Sequence, residues 1–309
     1  MPILTNPTSI YKLSKELLES LENAHKNTQS TGFARLDIYF GGIAQGDVVV
    51  IGARPGMGKT QFAVNLITNV YDTDACLYFS LTQSIKDITA RFIACKTGIE
   101  AHKLHGEEVS SQALELIQTT HNNFEKVKLW ISEVGNHNID AILETIKAQV
   151  IEHQIKVVVI DDLQAIMTSK TKAKMDAQIS EVLQQLKQMA KALNITVIVL
   201  SNLRRAVEKR PLHVPKLSDL MKQSKALAIV DKVWLLYRPA YYGIETFENG
   251  SPAGQMAQLI IAKNNNGIEG AVDFKLDKGF TKFEAIELGF KPIVKSAKQL
   301  MPNAFTIFI

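Results

Sequence analysis

Apolar and polar positions alternate in blocks along most of the chain. Short runs rich in β-branched and aromatic residues, Val48–Ile51, Cys76–Phe79, Leu129–Ile131, Lys156–Ile160, Thr196–Leu200 and Val233–Tyr237, predict strands. Helix-like stretches lie between them at about 60–70, 84–97, 110–124, 139–152 and 176–193. Near-continuous apolar strands separated by helices point to a parallel sheet covered on both faces. From about residue 256 the pattern changes to Met256–Ala262, Ala271–Leu276 and Phe280–Phe283, with turns at Asn264–Gly267 and Asp277–Gly279. That spacing predicts an antiparallel meander.

The two ends read differently. Over residues 8–27, Ile10, Leu13, Leu17, Leu18 and Leu21 recur at three- and four-residue steps, which predicts one amphipathic helix. Such a helix cannot bury its apolar face alone, so it packs on its own body or on a neighbouring subunit. Asn27–Gly32 is small and polar and reads as a hinge. The expected organisation is a linker-type helix and hinge over 1–30, a main domain over 31–284, and a tail over 285–309 that ends in the apolar run Phe305–Ile309.

Chemistry enters at the carboxyl ends of two of these strands. Val48–Ile51 runs into Gly52, Ala53, Arg54, Pro55, Gly56, Met57, Gly58, Lys59, Thr60 and Gln61, then a helix-like stretch. This is the strand–loop–helix setting of a phosphate-binding loop, in which small residues let successive N–H groups point at phosphate oxygens. Ala53 replaces the first glycine of that pattern, while Gly56 and Gly58 remain. Lys59 is expected to reach the β- and γ-phosphates of ATP, and the Thr60 hydroxyl to hold Mg²⁺. The run Lys156–Ile160 ends in Asp161 and Asp162. Asp161 is the expected metal-associated carboxylate, at the end of the sheet where open α/β folds bind ligands.

Further motifs make the pattern specific. Thr31–Asp37, Gly41–Gly42, Gln45–Asp47, Ala53–Thr60, Phe79–Leu81, Ile160–Gln164, Leu186–Leu193, Leu200–Arg204, Leu217–Leu220, Tyr237–Arg238, Tyr241–Tyr242 and Ile260–Gly267 follow in one order. In that order the chain resembles the DnaB-type replicative helicase motor domain over roughly residues 10–284. The resemblance implies a RecA-like P-loop NTPase core that works as a hexameric ring on single-stranded DNA, with ATP between subunits and each linker helix docked on a neighbour. It assigns nucleotide and metal contacts to Lys59, Thr60 and Asp161. Lys263 matches a basic residue that reaches across the subunit interface, and Gln164 matches a position near the DNA side of the sheet. The family's N-terminal helical domain is expected to be absent, leaving only the linker-type helix.

Several positions depart from the family pattern. Thr82 stands where the family has the glutamate that orients the attacking water, and Asn265 where it has an arginine finger. Asn202 replaces a sensor glutamine with a side chain one methylene shorter. The acidic cluster after Leu217–Leu220 is reduced to Asp231, with Met221, Lys222 and Lys225 at altered positions. Loss of a general base costs on the order of 10²–10⁴ in rate, and loss of an arginine finger roughly 10³–10⁵. The expectation is a protein that binds ATP and hydrolyses it weakly. Asp162 has two readings, a carboxylate that positions water in place of the missing glutamate or a solvated turn residue.

Charge sharpens the picture where composition does not. With 46% hydrophobic and 21% charged residues, the 309-residue chain has a globular composition, which excludes disordered and fibrous classes. No run of about 20 apolar residues is present to span a bilayer, and Met1–Ser9 has no export signal pattern, so a cytoplasmic protein without a membrane partner is expected. Cys76 and Cys95 are too few for a disulfide framework. The formal net charge is only +4, yet Ser169–Arg238 holds 14 basic against 5 acidic residues, an excess of +9 that leaves the remainder at −5. Lys170, Lys172 and Lys174 follow one strand, and Arg204, Arg205, Lys209 and Arg210 follow the next. In the resembled ring both loops face the channel, where these side chains would track DNA phosphates without reading sequence. Two rivals share the core: a catalytically degenerate paralogue that joins or regulates a helicase ring, and a recombination or clock-type ATPase. The Arg54–Thr60 loop and the Leu217–Leu220 run disfavour the latter.

Overall fold

The computed structural model describes residues 9–12, 14–15, 18 and 28–286, apart from 107–108, 134, 136, 168–174, 221–223, 248 and 266, and it leaves the side chains of 175–176 and 224–225 undescribed. Two short strands come first, β1 (Thr28–Gln29) and β2 (Ile43–Ala44), paired with each other. Six strands then run parallel: β3 (Val48–Ala53), β4 (Cys76–Ser80), β5 (Leu129–Glu133), β6 (Val157–Asp161), β7 (Thr196–Asn202) and β8 (Lys232–Tyr237). The strands β9 (Met256–Asn264), β10 (Gly270–Leu276) and β11 (Phe283–Ala285) extend this sheet antiparallel. Among the described residues the main sheet thus has nine strands, in the order β11-β10-β9-β8-β3-β7-β6-β4-β5. The expected α/β class, with a mainly parallel sheet and an antiparallel C-terminal extension, is the one observed.

Strand alternation divides the core between the two faces. Val48 and Val50 point to the face covered by Ile142 and Ile146 of one helix and Leu183 and Leu186 of another, all fully buried. Val49 and Ile51 point to the other face, against Phe62, Leu66 and Phe92. The helices in chain order are α1 (Ala34–Phe40), α2 (Lys59–Val70), α3 (Ile85–Thr97), α4 (Ser111–Phe124), α5 (Ile139–His153), α6 (Met175–Leu193), α7 (Leu217–Leu220) and α8 (Ser224–Ile229). Their starts follow from side-chain chemistry. Ser84 accepts from the Asp87 N–H at 3.2 Å while Asp87 accepts from the Ser84 N–H at 3.2 Å, a reciprocal cap that fixes the first turn of α3. Asn138 accepts from the Asp140 N–H at 2.8 Å and starts α5 in the same way.

Two segments differ from the sequence reading. The expected hinge is pinned beyond residue 27. Thr28–Gln29 is held in β1 by its antiparallel pairing with β2, and Thr31 is fully buried. Asp37, in the first turn of α1, accepts from the Ser30 hydroxyl at 2.6 Å, the Thr31 N–H at 2.9 Å and the Thr31 hydroxyl at 2.8 Å. The last strand begins at Phe283 rather than Phe280. Asp277 accepts from the N–H groups of Thr281 at 2.6 Å and Lys282 at 2.8 Å, prolonging the turn through Phe280, whose φ is +53°. Of the predicted N-terminal helix, residues 10–12, 14–15 and 18 are helical, with Ile10 80% and Leu18 62% exposed. The rest of that helix and the tail beyond 286 lie outside the described residues.

Replacing Asp37 with alanine leaves the Thr31 N–H without its acceptor. Removal of one such buried partner costs on the order of 1–3 kcal/mol. Asp37→Ala is expected to lower the unfolding free energy by about 2 kcal/mol and to speed amide exchange at Thr31, read by denaturant titration and hydrogen exchange. An unchanged midpoint would show that the 28–37 segment is held by other contacts.

Candidate functional site

The phosphate loop forms at the end of β3, where the chain turns from strand to helix. Gly56 and Gly58 have φ of +81° and +93°, values that a side chain would strain, with buried Met57 between them. Gly58 also caps α2, so the first N–H groups of that helix face the loop. A Cβ at Gly56 would lie 2.3 Å from the Tyr241 hydroxyl, so the ring of Tyr241 rests directly on the loop. Ala53, the departure from the motif, is still in the strand at this point, buried and paired with Asn202 of β7. A glycine is not required there.

Lys59 and Thr60 lie at the mouth of the sheet beside the two carboxylates. The Thr60 hydroxyl donates to Asp161 Oδ2 at 2.7 Å, and the Tyr78 hydroxyl donates to the same oxygen at 2.9 Å. Lys59 Nζ donates to Asn202 Oδ1 at 2.9 Å, and Asn202 Nδ2 donates to Asp162 Oδ2 at 2.7 Å. Gln164 holds Asn202 in turn, accepting from its N–H at 3.0 Å and donating to the neighbouring Ser201 hydroxyl at 2.8 Å. Asp162 is therefore not a solvated turn residue. It is 8% exposed, and its carboxyl pKa is raised, chiefly by burial, against the lowering effect of Lys59. Burial lowers the pKa of Lys59, opposed by Asp161 and then Asp162.

The Thr60 hydroxyl and Asp161 carboxylate are hard oxygen donors. They fit a small divalent ion that keeps several waters and completes its shell with phosphate oxygens. Among the described residues no cluster of three or more His, Cys, Asp or Glu forms a separate metal cage. Thr82 is exposed, two residues beyond the end of β4. Its neighbour Leu81 donates its N–H to the Asp161 carbonyl at 2.7 Å, so the segment lies at this same edge. Gln83 Nε2 approaches the Thr60 hydroxyl at 3.4 Å, and Arg91 Nε donates to Gln83 Oε1 at 3.1 Å.

The family comparison agrees with this arrangement. Residues 29–285 match the model of the DnaB-like helicase C-terminal domain. The chain belongs to that family. A probable replicative DNA helicase from Trieres chinensis is 32% identical over 277 residues, covering 88% of this chain and 59% of that protein. The replicative DNA helicase DnaC of Bacillus subtilis is 28% identical, covering 92% of this chain and 64% of its own length. The chain thus spans about three fifths of the curated relatives it matches. Among solved structures, a DnaB-like replicative helicase studied for its interactions with primase superposes with a TM-score of 0.80 at 28% identity, covering 91% of this chain and 68% of that one. A second solved chain, an isolated ATPase domain, gives a TM-score of 0.82 at 28% identity, covering 91% of this chain and all of that one.

For a DnaB-like domain, several expected residues are used in unexpected ways. Gln61 turns its side chain away from the loop, donating to the Thr281 carbonyl at 2.7 Å and tying α2 to the C-terminal strands. Lys263 Nζ donates to the carbonyls of Leu227, at 2.6 Å, and Val230, at the end of α8, and burial lowers its pKa. Asn265 is exposed, with its N–H on the Asp231 carbonyl at 3.0 Å. Asp231 itself is structural, accepting from Lys187 Nζ at 2.6 Å and the Val48 N–H at 2.8 Å.

Arg204 and the 3-10 turn Arg205–Lys209 follow β7 directly, with Arg205 and Lys209 exposed. Arg210 is committed to the protein: its guanidinium pairs with both oxygens of Asp219 and donates Nε to the Val214 carbonyl at 3.1 Å. Lys170, Lys172 and Lys174 lie outside the described residues.

Sequence reasoning missed Tyr78, Gln83, Arg238, Tyr241 and Phe280 as parts of this site. Tyr78 reads as one more apolar strand residue, although a buried tyrosine hydroxyl needs a partner. The Arg238 guanidinium stacks 4.3 Å from the Phe280 ring centre and lies near Gly56, a contact between two loops distant in sequence.

Loss of an outer-shell hydrogen bond to a metal ligand typically weakens metal affinity 10–100-fold. Tyr78→Phe is expected to raise the divalent-ion concentration for half-maximal nucleotide binding by about tenfold, read by fluorescent-nucleotide titration at fixed nucleotide. No shift would show that Tyr78 only fills space.

Proposed function

We propose that this chain is the motor portion of a ring-forming replicative DNA helicase that binds Mg²⁺–ATP and tracks single-stranded DNA. The observation that carries the reading is the linked set at one sheet edge: Lys59 and Thr60 from the loop after β3, Asp161 and Asp162 from the end of β6, and Asn202 from the end of β7. In this reading the loop N–H groups and Lys59 bind the β- and γ-phosphates. Thr60 and Asp161 would hold magnesium, which neutralises charge on the phosphate oxygens. Asn202 bridges Lys59 to the strand that leads into Arg204, Arg205 and Lys209, the proposed DNA-phosphate contacts together with Lys170, Lys172 and Lys174. The ring would be a homo-hexamer or one shared with a related helicase, with Lys263 and its neighbours at the subunit junction. Among the described residues no helix is long and apolar enough to cross a membrane.

Hydrolysis is the step on which the two readings of the site diverge. Thr82 has no proton-accepting group at neutral pH, and Asn265 carries no charge to neutralise the transition state. Asp162 is the remaining carboxylate that can orient water near Lys59. These features favour slow turnover, and in the extreme they favour the second reading, a ring component that binds nucleotide without consuming it.

Steady-state ATPase with and without single-stranded DNA separates the two. The expected wild-type rate is low, stimulated by DNA, and above that of Lys59→Ala. Restoring a general base by Thr82→Glu should raise it at least about tenfold. A wild-type rate equal to that of Lys59→Ala would overturn the motor reading. On the DNA side, the double variant Arg204→Ala/Arg205→Ala should reduce the slope of log affinity against log salt by about 1–2. An unchanged slope would remove these two side chains from the DNA contact.

A further inference from the structure

The phosphate loop and the basic turn are joined by an ion pair. β3 and β7 are adjacent and parallel, with Ala53 opposite Asn202, so the segments that follow them leave the sheet side by side. Arg54 is the first residue beyond β3. Its Nε donates to Glu208 Oε1 at 2.8 Å and its NH1 to the Leu203 carbonyl at 2.7 Å. Glu208 is the acidic residue of the turn Arg205–Lys209, between two exposed cations. Behind the pair, Met57 of the loop and Val207 of the turn are both buried and line a void of only about 10 Å³. That is space for about one water molecule, so little room is left between the two segments.

The turn is also held to Asp219 at both of its ends. The Arg204 N–H donates to the Asp219 carbonyl at 3.0 Å, and Arg210 grips the Asp219 carboxylate. The pair itself is partly exposed, with side-chain exposures of 15% for Arg54 and 39% for Glu208. Pairs of that kind contribute little to folding stability. Their charges remain open to competition from both sides. Nucleotide phosphates entering the loop attract the Arg54 guanidinium, and DNA phosphates at the turn attract the cations on either side of Glu208.

We propose that the Arg54–Glu208 pair couples the two sites: occupation of the phosphate loop changes the affinity of the basic turn for single-stranded DNA, and the reverse, through competition for Arg54. This rests on the nucleotide and DNA reading given above. Glu208 is a positioning residue, acting on nucleotide and DNA only through Arg54 and the turn. A ligand shifts an equilibrium only by its differential interaction with the two states. Here that difference is whether Arg54 faces Glu208 or the phosphates.

The test is a thermodynamic square on the full chain. Affinity for a labelled oligo(dT) is measured by anisotropy with and without a non-hydrolysable ATP analogue and Mg²⁺, in wild type, Glu208→Gln, Glu208→Ala and Glu208→Asp. Couplings between sites usually amount to about 5–150-fold, and the wild-type ratio of the two DNA affinities is expected in that range. In the Gln and Ala variants the ratio should fall to within about twofold of unity, while the melting temperature stays near wild type. The Asp variant should retain part of the coupling. A Gln or Ala variant that keeps the wild-type ratio overturns the proposal while leaving the functional reading intact. A wild-type chain that binds neither ligand overturns the functional reading and the coupling with it.

Discussion

Three parallel strands, β3, β7 and β6, lie side by side with both faces buried, and the phosphate loop, Asn202 and the Asp161–Asp162 pair lie at their carboxyl ends. Parallel pairing imposes this arrangement, because strands running the same way deliver their exits to one edge. The phosphate loop, the Asp161–Asp162 pair and the Asn202-to-Lys209 segment therefore become neighbours although about 150 residues separate the first from the last. The burial of Val48–Ile51, Val157–Ile160 and Thr196–Leu200 holds the ladder in register. If the β3–β7 register slipped by one residue, Ala53 would no longer face Asn202 and Lys59 would lose its amide partner.

Much of this frame is legible in the sequence because it depends on local pattern. The six parallel strands have β-branched runs, and the five longer helices have apolar periodicity, that lie within each element; three of these helices also begin at a capping Ser or Asn. What escaped notice depends on partners distant along the chain. Asn27–Gly32 has a hinge's composition, yet Asp37 and the strand Ile43–Ala44 pin its second half. Arg210 is one of four similar bases in the sequence, and only the fold brings Asp219 against it. Gln61 follows the motif threonine, but its side chain meets Thr281, 220 positions away. A lone acid such as Glu208 in a basic run is a signal that sequence reading can use. A cation repeatedly flanked by like charge favours a nearby carboxylate.

The departures from the family pattern also have a structural shape. Ala53 costs nothing because the chain is still extended there, and Asn202 keeps the link from Lys59 despite its shorter side chain. Thr82 and Asn265 differ in kind, because both are exposed and neither side chain carries the charge that the family places there. The hydrogen-bonded geometry at the end of the sheet is thus kept where groups are buried and interlocked. The alterations at Thr82 and Asn265 fall on exposed positions, to whose counterparts the family resemblance assigns roles at the transferring phosphate.

In the proposed function, nucleotide and DNA are handled at one edge of one sheet. Photo-cross-linking of a 4-thiothymidine oligonucleotide, with a non-hydrolysable ATP analogue present and the adducts mapped by peptide mass spectrometry, tests it most directly. Adducts are expected in residues 162–174 and 203–216, the segments that follow β6 and β7. Adducts confined to residues 116–128, the end of α4 and the turn that leads into the amino end of β5 beside Tyr71, would contradict it.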